Sequence, residues 1–397
     1  MTFRKQLQWG GLLIIVVSLL VSITNALFYL GIHSVALHAV YGMGFTGLML
    51  TCAIIHIAQA RQAGMFELAT YLFSVLCLAY VNVATFLDLV EMAGIEGTEQ
   101  AVAAVRSPVL FVAIYGLYLC LILFFLATAQ AGVFPRWGGI LTALGIALQL
   151  PAQFASNLVG PLFYIFSAGG SIIFGIGLIW IGWSLWLGAG ISDEELRLSN
   201  LDRTWGAPFV ILTALILVVN AYVNTFGELT LSNGIINLIS MTALLLSIVI
   251  LFTAQADRAG GTGLIGFLFT HLGAALSIIP AYLIMAQLAG QIESNRALMA
   301  SWQDFPFGRV GGYMLILGLM IFGISVIRAE VFPRWTGWLV VIGIALLLPS
   351  LFQSQAYLFL IFWAIGATLE GIGFGWMGWT LFKKNPLIER QPEFIEG

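Results

Sequence analysis

Charge is what this sequence has least of. Only 8% of its residues are Asp, Glu, Lys or Arg, against roughly 25% in soluble domains, too few for a surface that faces water on all sides. Cysteine is scarce as well. Cys52, Cys77 and Cys120 are the whole complement, and all three sit inside long apolar runs, which argues against a disulfide framework and for small packing residues. No Cys/His spacing of the metal-binding kind occurs. There is no glycine-rich phosphate loop, no GxSxG elbow and no His-Glu-x-x-His, so an enzyme reading has no positive feature. The formal charge of −3 comes without a basic patch, so nucleic acid is not an expected partner.

What is abundant is apolar length. Hydrophobic residues make up 60% of the chain and the mean hydropathy is +1.02. Runs of about 20 apolar residues, the length that crosses a hydrocarbon core of about 30 Å, recur throughout. The pattern predicts twelve spans, at 10–31, 37–58, 66–92, 107–129, 137–154, 160–186, 206–226, 235–255, 263–288, 310–328, 336–353 and 357–382. The first has an apolar run too long for a signal peptide and no small-residue cleavage site after it, so it is expected to be retained.

The chain also repeats itself. Residues 132–151, GVFPRWGGILTALGIALQLP, and 330–349, EVFPRWTGWLVVIGIALLLP, agree at 13 of 20 positions. Ala58-Gln59-Ala60 with Arg61 corresponds to Ala254-Gln255-Ala256 with Arg258. Trp180, Gly182, Trp183 and Leu185 correspond to Trp376, Gly378, Trp379 and Leu381, and Asn25-Ala26 to Asn220-Ala221, at offsets between 195 and 198. The expected fold is an all-α integral membrane protein of about twelve transmembrane helices in two parallel six-helix repeats. The first repeat spans 1–190, a linker 191–205, the second repeat 206–384 and a short polar tail 385–397. Six spans per repeat is even, so both halves enter from the same side, about a pseudo-twofold axis along the membrane normal. With the N-terminus inside, twelve basic residues fall on the inner side and three, Arg106, Arg296 and Arg309, outside. This positive-inside bias predicts a cell (inner) membrane protein with both termini and the linker cytoplasmic.

The repeated VFPRW reads first as chemistry of a helix start. Pro135 and Pro333 suit a first turn, Arg136 and Arg334 can snorkel to lipid phosphates, and Trp137 and Trp335 suit the interfacial belt. Downstream, Pro151 and Pro349 leave an uninterrupted helix of about 15 residues, roughly 22 Å, which is short of the bilayer. Short or interrupted spans at matching places in two repeats point to a binding site in transporter-like folds. Gln149, Gln153 and Asn157 surround one proline, and Gln353 and Gln355 follow the other. Asn25, Asn220 and Asn224, with Asp88 and Glu91, lie in the outer parts of their spans. These side chains either line an outward-opening polar vestibule or cap helix ends.

Glu370 stands in the middle of the last span, within WAIGATLEGIGFGW, where a charged carboxylate costs several kcal/mol unless it is protonated or paired. A neutral acid that exchanges protons is what a proton-coupled carrier requires, and a permanently protonated packing acid is the plainer alternative. Glycines in spans six (Gly169, Gly170, Gly175, Gly177) and twelve (Gly366, Gly371, Gly373, Gly375, Gly378) are spaced for close helix contact. The four histidines are His33, His38, His56 and His271. His38 and His56 share a face of span two about 27 Å apart, so paired ligation would need His33 with His38 at one level or His56 with His271 at the other. Paired sites of this kind suit haem, and a single histidine suits a chlorophyll-type pigment.

The phrase FPRWxGxLxxxGIAL, twice over, resembles a pattern in uncharacterised bacterial polytopic membrane proteins, which brings no activity with it. The 6+6 arrangement distantly resembles the major facilitator superfamily, and Asp257-Arg258-Ala259-Gly260 is similar to that family's D-R-x-G core. Gly261 and Thr262 stand where the family's basic residues follow, and the first-half counterpart, Arg61-Gln62-Ala63-Gly64, lacks the Asp. The resemblance implies a carrier. The leading expectation is a carrier of a small neutral or amphipathic solute with its site between the repeats. Asn25, Gln149, Gln153, Asn220 and Gln353 would contact solute, and Glu370 and Asp88 would couple protons. Membrane lipids are the expected surroundings. The competing expectation is a non-transporting subunit that joins partner chains in a membrane complex and binds pigment, haem or quinone through His38, His56 or His271.

Overall fold

The computed structural model describes residues 3–59, 62, 64–92, 108–154, 161–188, 200–226, 231–288, 306–348 and 357–383. Among them it contains eleven helices and no strand: α1 Phe3–Tyr29, α2 Val35–Gln59, α3 Met65–Met92, α4 Pro108–Ala131, α5 Arg136–Phe154, α6 Pro161–Trp186, α7 Asn200–Phe226, α8 Leu231–Leu288, α9 Pro306–Ala329, α10 Arg334–Leu347 and α11 Tyr357–Lys383. Eight of them, α1 to α4 and α6 to α9, are long and apolar enough to cross a membrane by length and composition. Many exposed side chains are large and apolar, among them Val112 at 72% and Trp137 at 64%. Water would penalise so much apolar surface, whereas acyl chains accommodate it.

Helix α8 is 58 residues long but is not one rod. Gly260 adopts φ 61° and ψ −163°, a non-helical conformation in its middle, left-handed in φ, which glycine takes without steric cost. The two predicted spans 235–255 and 263–288 fall on either side of it. The expected break at Pro151 is not there, because α5 runs through it to Phe154. A proline that near a helix end removes one N–H and leaves the following turn intact. In the second copy α10 is described as far as Leu347, and Pro349 lies outside the described residues.

The chain divides into two compact units, one built from α1 to α6 and the other from α7 to α11. In the first, each helix from α2 to α5 packs on the next in sequence. α1 also packs on α2, where a Cβ on Gly47 would lie 2.7 Å from Val17, and on α6, where one on Gly11 would lie 2.5 Å from the Gly182 carbonyl oxygen. The six helices therefore close into a ring. In the second unit α7 packs on α8, α8 on α9, α9 on α10, α10 on α11 and α11 back on α7, a ring of the same kind. Buried hydroxyls bond within their own helices, as from Thr24 to the Leu20 carbonyl (2.6 Å), Thr142 to Gly138 (2.7 Å) and Thr253 to Val249 (2.7 Å). Back-bonding of this kind lets Ser and Thr sit in an apolar interior.

Candidate functional site

Each ring encloses a cavity, and residues from every helix of the ring line it. The cavity of the first unit is about 100 Å³ and is lined by Asn25 of α1, Tyr41 of α2, Val81 of α3, Tyr118 of α4, Gln149 of α5 and Phe174 of α6, among others. Asn25 and Gln149, distant in sequence, meet here. The Asn25 side-chain N–H donates to Gln149 Oε1 at 2.6 Å, and the Tyr41 hydroxyl donates to Asn25 Oδ1 at 3.3 Å. The Gln149 amide N–H donates in turn to the Gly145 carbonyl at 3.1 Å. These amides do not cap helix ends; they bridge helices across the ring and satisfy one another.

The second cavity is about 410 Å³. Asn220 and Asn224 of α7 and Asn233 and Asn237 of α8 cluster on its wall, Glu370 of α11 also lines it, and Leu217, Met241, Ile316, Leu347 and Trp363 supply apolar surface. Asn224 Nδ2 donates to Asn220 Oδ1 at 2.9 Å, and Asn220 Nδ2 donates to Asn237 Oδ1 at 3.2 Å. Glu370 is 5% exposed. Among the described residues no group hydrogen-bonds its carboxyl, which faces the cavity. A buried acid with no protein partner requires a proton or a ligand.

The fourfold difference in volume has a residue-level cause. At the spacings that align the two halves, Tyr41 corresponds to Asn237, Phe45 to Met241, Tyr118 to Ile316 and Phe174 to Glu370. Four aromatic side chains of the first cavity give way to smaller ones in the second, and the vacated space becomes the larger chamber.

The other predicted site residues are scattered. Asp88 lies half-buried on α3, within electrostatic range of Tyr41. The surroundings of Gln153, and Asn157, Gln353 and Gln355 altogether, lie outside the described residues. His33 and His38 do meet, with ring centroids 6.0 Å apart and Phe28 against both, at 5.6 Å from His33 and 4.5 Å from His38. His271 belongs to the second unit, beside Phe267 at 5.5 Å. His56 is in the first unit, with its Nδ1 3.1 Å from both carboxylate oxygens of Glu67. Glu67 is the functional candidate that sequence reasoning missed. Its signal was available, since MFELATYLF places an acid at the mouth of an otherwise apolar run. Among the described residues no group of three or more His, Cys, Asp and Glu side chains could hold a metal ion.

The VFPRW stretches are built alike in both units. Pro333 is the N-cap of α10, one place earlier than the first-turn expectation, and its carbonyl accepts from the Thr336 N–H (3.0 Å) as the Pro135 carbonyl accepts from the Gly138 N–H (2.8 Å). Phe134 and Phe332 are buried, and Trp137 and Trp335 are exposed. Arg334, at the start of α10, is paired with Glu330 just ahead of the helix, and this bond holds the exposed Glu330 carboxyl below its ordinary range. No protein-family model, curated protein or solved structure matches this chain.

Proposed function

We propose that this is a multi-pass membrane carrier for a small amphipathic solute, with the solute held in the 410 Å³ cavity of the second unit. The observation that carries the reading is the make-up of that chamber, with apolar walls, four asparagines on one side and one buried acid that no group among the described residues hydrogen-bonds. A cluster of this kind suits a ligand with an apolar body and one hydrogen-bonding or basic end. Asn220 and Asn237 orient that end, and Glu370 exchanges a proton as the solute enters and leaves. The first-unit cavity, a quarter of the volume and with its amides bonded to each other, serves as packing. Counting α8 as two spans about Gly260 brings the helices to twelve. The topology proposed with this function is two parallel six-helix repeats in the inner membrane, with both termini cytoplasmic.

The test starts from protein purified in native lipid. Small molecules extracted from it and identified by mass spectrometry are offered to proteoliposomes carrying a proton gradient. Gradient-dependent uptake of one of them, lost with Glu370→Gln in a protein that still elutes as a folded species, is the expected result. Uptake indifferent to Glu370→Gln would remove the coupling role. A visible absorption band that disappears with His38→Ala would replace the carrier with a cofactor-bearing subunit.

A further inference from the structure

The end of the first unit where α2 meets α3 holds a second buried polar cluster that the carrier cavity does not use. His56 is in the last turn of α2 and Glu67 in the first turn of α3, and both are buried, at 4% and 3% exposure. Gln59 completes the cluster, its side-chain N–H donating to Glu67 Oε1 at 2.8 Å and to Thr128 Oγ1 of α4 at 3.2 Å. The ring of Tyr71 stacks on the imidazole, with centroids 4.4 Å apart and planes 3° from parallel.

The second unit shows how much of this is packing. There Gln255, the counterpart of Gln59, donates to Ser325 Oγ at 3.2 Å, and Phe252 stacks on Phe267 at 4.6 Å and 14°. The amide-to-hydroxyl bond and the stacked pair are thus both present without an acid or a base. Phe252 stands where His56 does, and Gly263 where Glu67 does. Neither the stacked pair nor the amide bond contains an ionisable group there, His271 lying beside Phe267 at 5.5 Å rather than in the stack. Burying an acid beside a base costs desolvation that an apolar pair avoids, so packing does not explain why the first unit has them.

We propose that His56 and Glu67 form a proton-binding site. The pair takes one proton from the aqueous phase onto the imidazole. It passes from a neutral histidine whose Nδ1–H donates to the Glu67 carboxylate, net charge −1, to an imidazolium–carboxylate pair of net charge zero. Giving the proton back reverses the step, and no bond other than N–H forms or breaks. Helix ends assist both charges, since the N-terminus of α3 favours the carboxylate and the C-terminus of α2 the imidazolium. Among the described residues, titratable groups facing the pair include the Cys52 thiol of α2 and the Tyr71 phenol of α3. α4 presents Thr128 and Phe124, and the Arg4 guanidinium of α1 is occupied with the Gly188 carbonyl. The site stands whether or not the second-unit cavity takes a solute.

The full-length protein, labelled with ¹⁵N-histidine and reconstituted in lipid nanodiscs, tests this directly by NMR of its four imidazoles. His56 is assigned by the signal that disappears with His56→Phe, the residue the second unit already packs at position 252. The expected result is conversion of the His56 signals from a neutral tautomer to imidazolium within about pH 5 to 9, and loss of that conversion in Glu67→Gln. Wild-type signals that stay in one protonation state across that range would overturn the proposal. So would a His56 that titrates in Glu67→Gln as it does in the wild type, because the carboxylate would then have no part in holding the proton.

Discussion

Gly132 and Glu330 occupy corresponding places ahead of the two VFPRW stretches, and both have left-handed backbones, at φ 74° and 55°. Glycine adopts that region freely, and a side chain pays for it in strain. A Cβ at Gly132 would meet nothing within 4 Å, so Gly132→Ala isolates the backbone effect and should cost about 1 kcal/mol in thermal unfolding of the solubilised protein. Glu330→Gly should raise the melting temperature by the same logic. Glu330 has a second role, through the bond from Arg334 that lowers its titration. A carboxylate held below its unfolded value contributes stability that is present above that unfolded value and lost as the pH falls through the lowered folded one. Arg334→Gln should therefore raise the Glu330 carboxyl toward the ordinary carboxylate range, with Arg258 still lowering it, as ¹³C titration would read. Both groups are exposed, so the stability change should be small.

Helices in these rings meet through glycine, but not at every glycine. In α6, a Cβ on Gly177 would lie 2.4 Å from Thr142 Oγ1, and one on Gly170 would lie 2.8 Å from the Gly145 carbonyl oxygen. Gly343 of α10 and Gly366 of α11 oppose each other, each added Cβ lying 2.5 Å from the other residue's carbonyl oxygen. Gly169, next to Gly170 in sequence, meets nothing within 4 Å. Gly366→Ala should therefore destabilise the protein by about 1 to 3 kcal/mol, the cost of overpacking a fixed backbone contact. Gly169→Ala should stabilise it by about 0.5 to 1 kcal/mol, the gain of replacing a helix-interior glycine. Thermal melts of the two variants side by side decide between a packed seam and a merely glycine-rich helix. Spacing alone could not separate these neighbours, because one residue is a 100° turn about the helix axis.

At the scale of the molecule, the second ring keeps a chamber that the first ring fills with aromatics. Replacing Met241 by Phe and Ile316 by Tyr gives the second cavity side chains that the first already accommodates at Phe45 and Tyr118. The double variant should melt several degrees higher and, under the proposed function, lose any stabilisation by added solute that the wild type gains, a trade between stability and function. A double variant that melts higher and still gains full stabilisation from the solute would move the binding site out of this chamber.

Much of this architecture is a property of the one-dimensional sequence. Hydropathy summed along the chain marks each apolar helix, because crossing about 30 Å of hydrocarbon demands a run of that length whatever its neighbours are. VFPRW likewise announces two helix starts, since Pro, Arg and Trp act there through local geometry and the interface. The sequence also singled out Asn25, Gln149, Asn220 and Glu370 as polar residues at apolar depth. It could not say that Asn25 bonds Gln149 across the ring, that Asn220 and Glu370 share one chamber, or that Glu67 reaches His56. Those pairings depend on which face each helix turns inward, and that is decided only when the first and last helices of a ring close on each other and every side chain must find room or a partner.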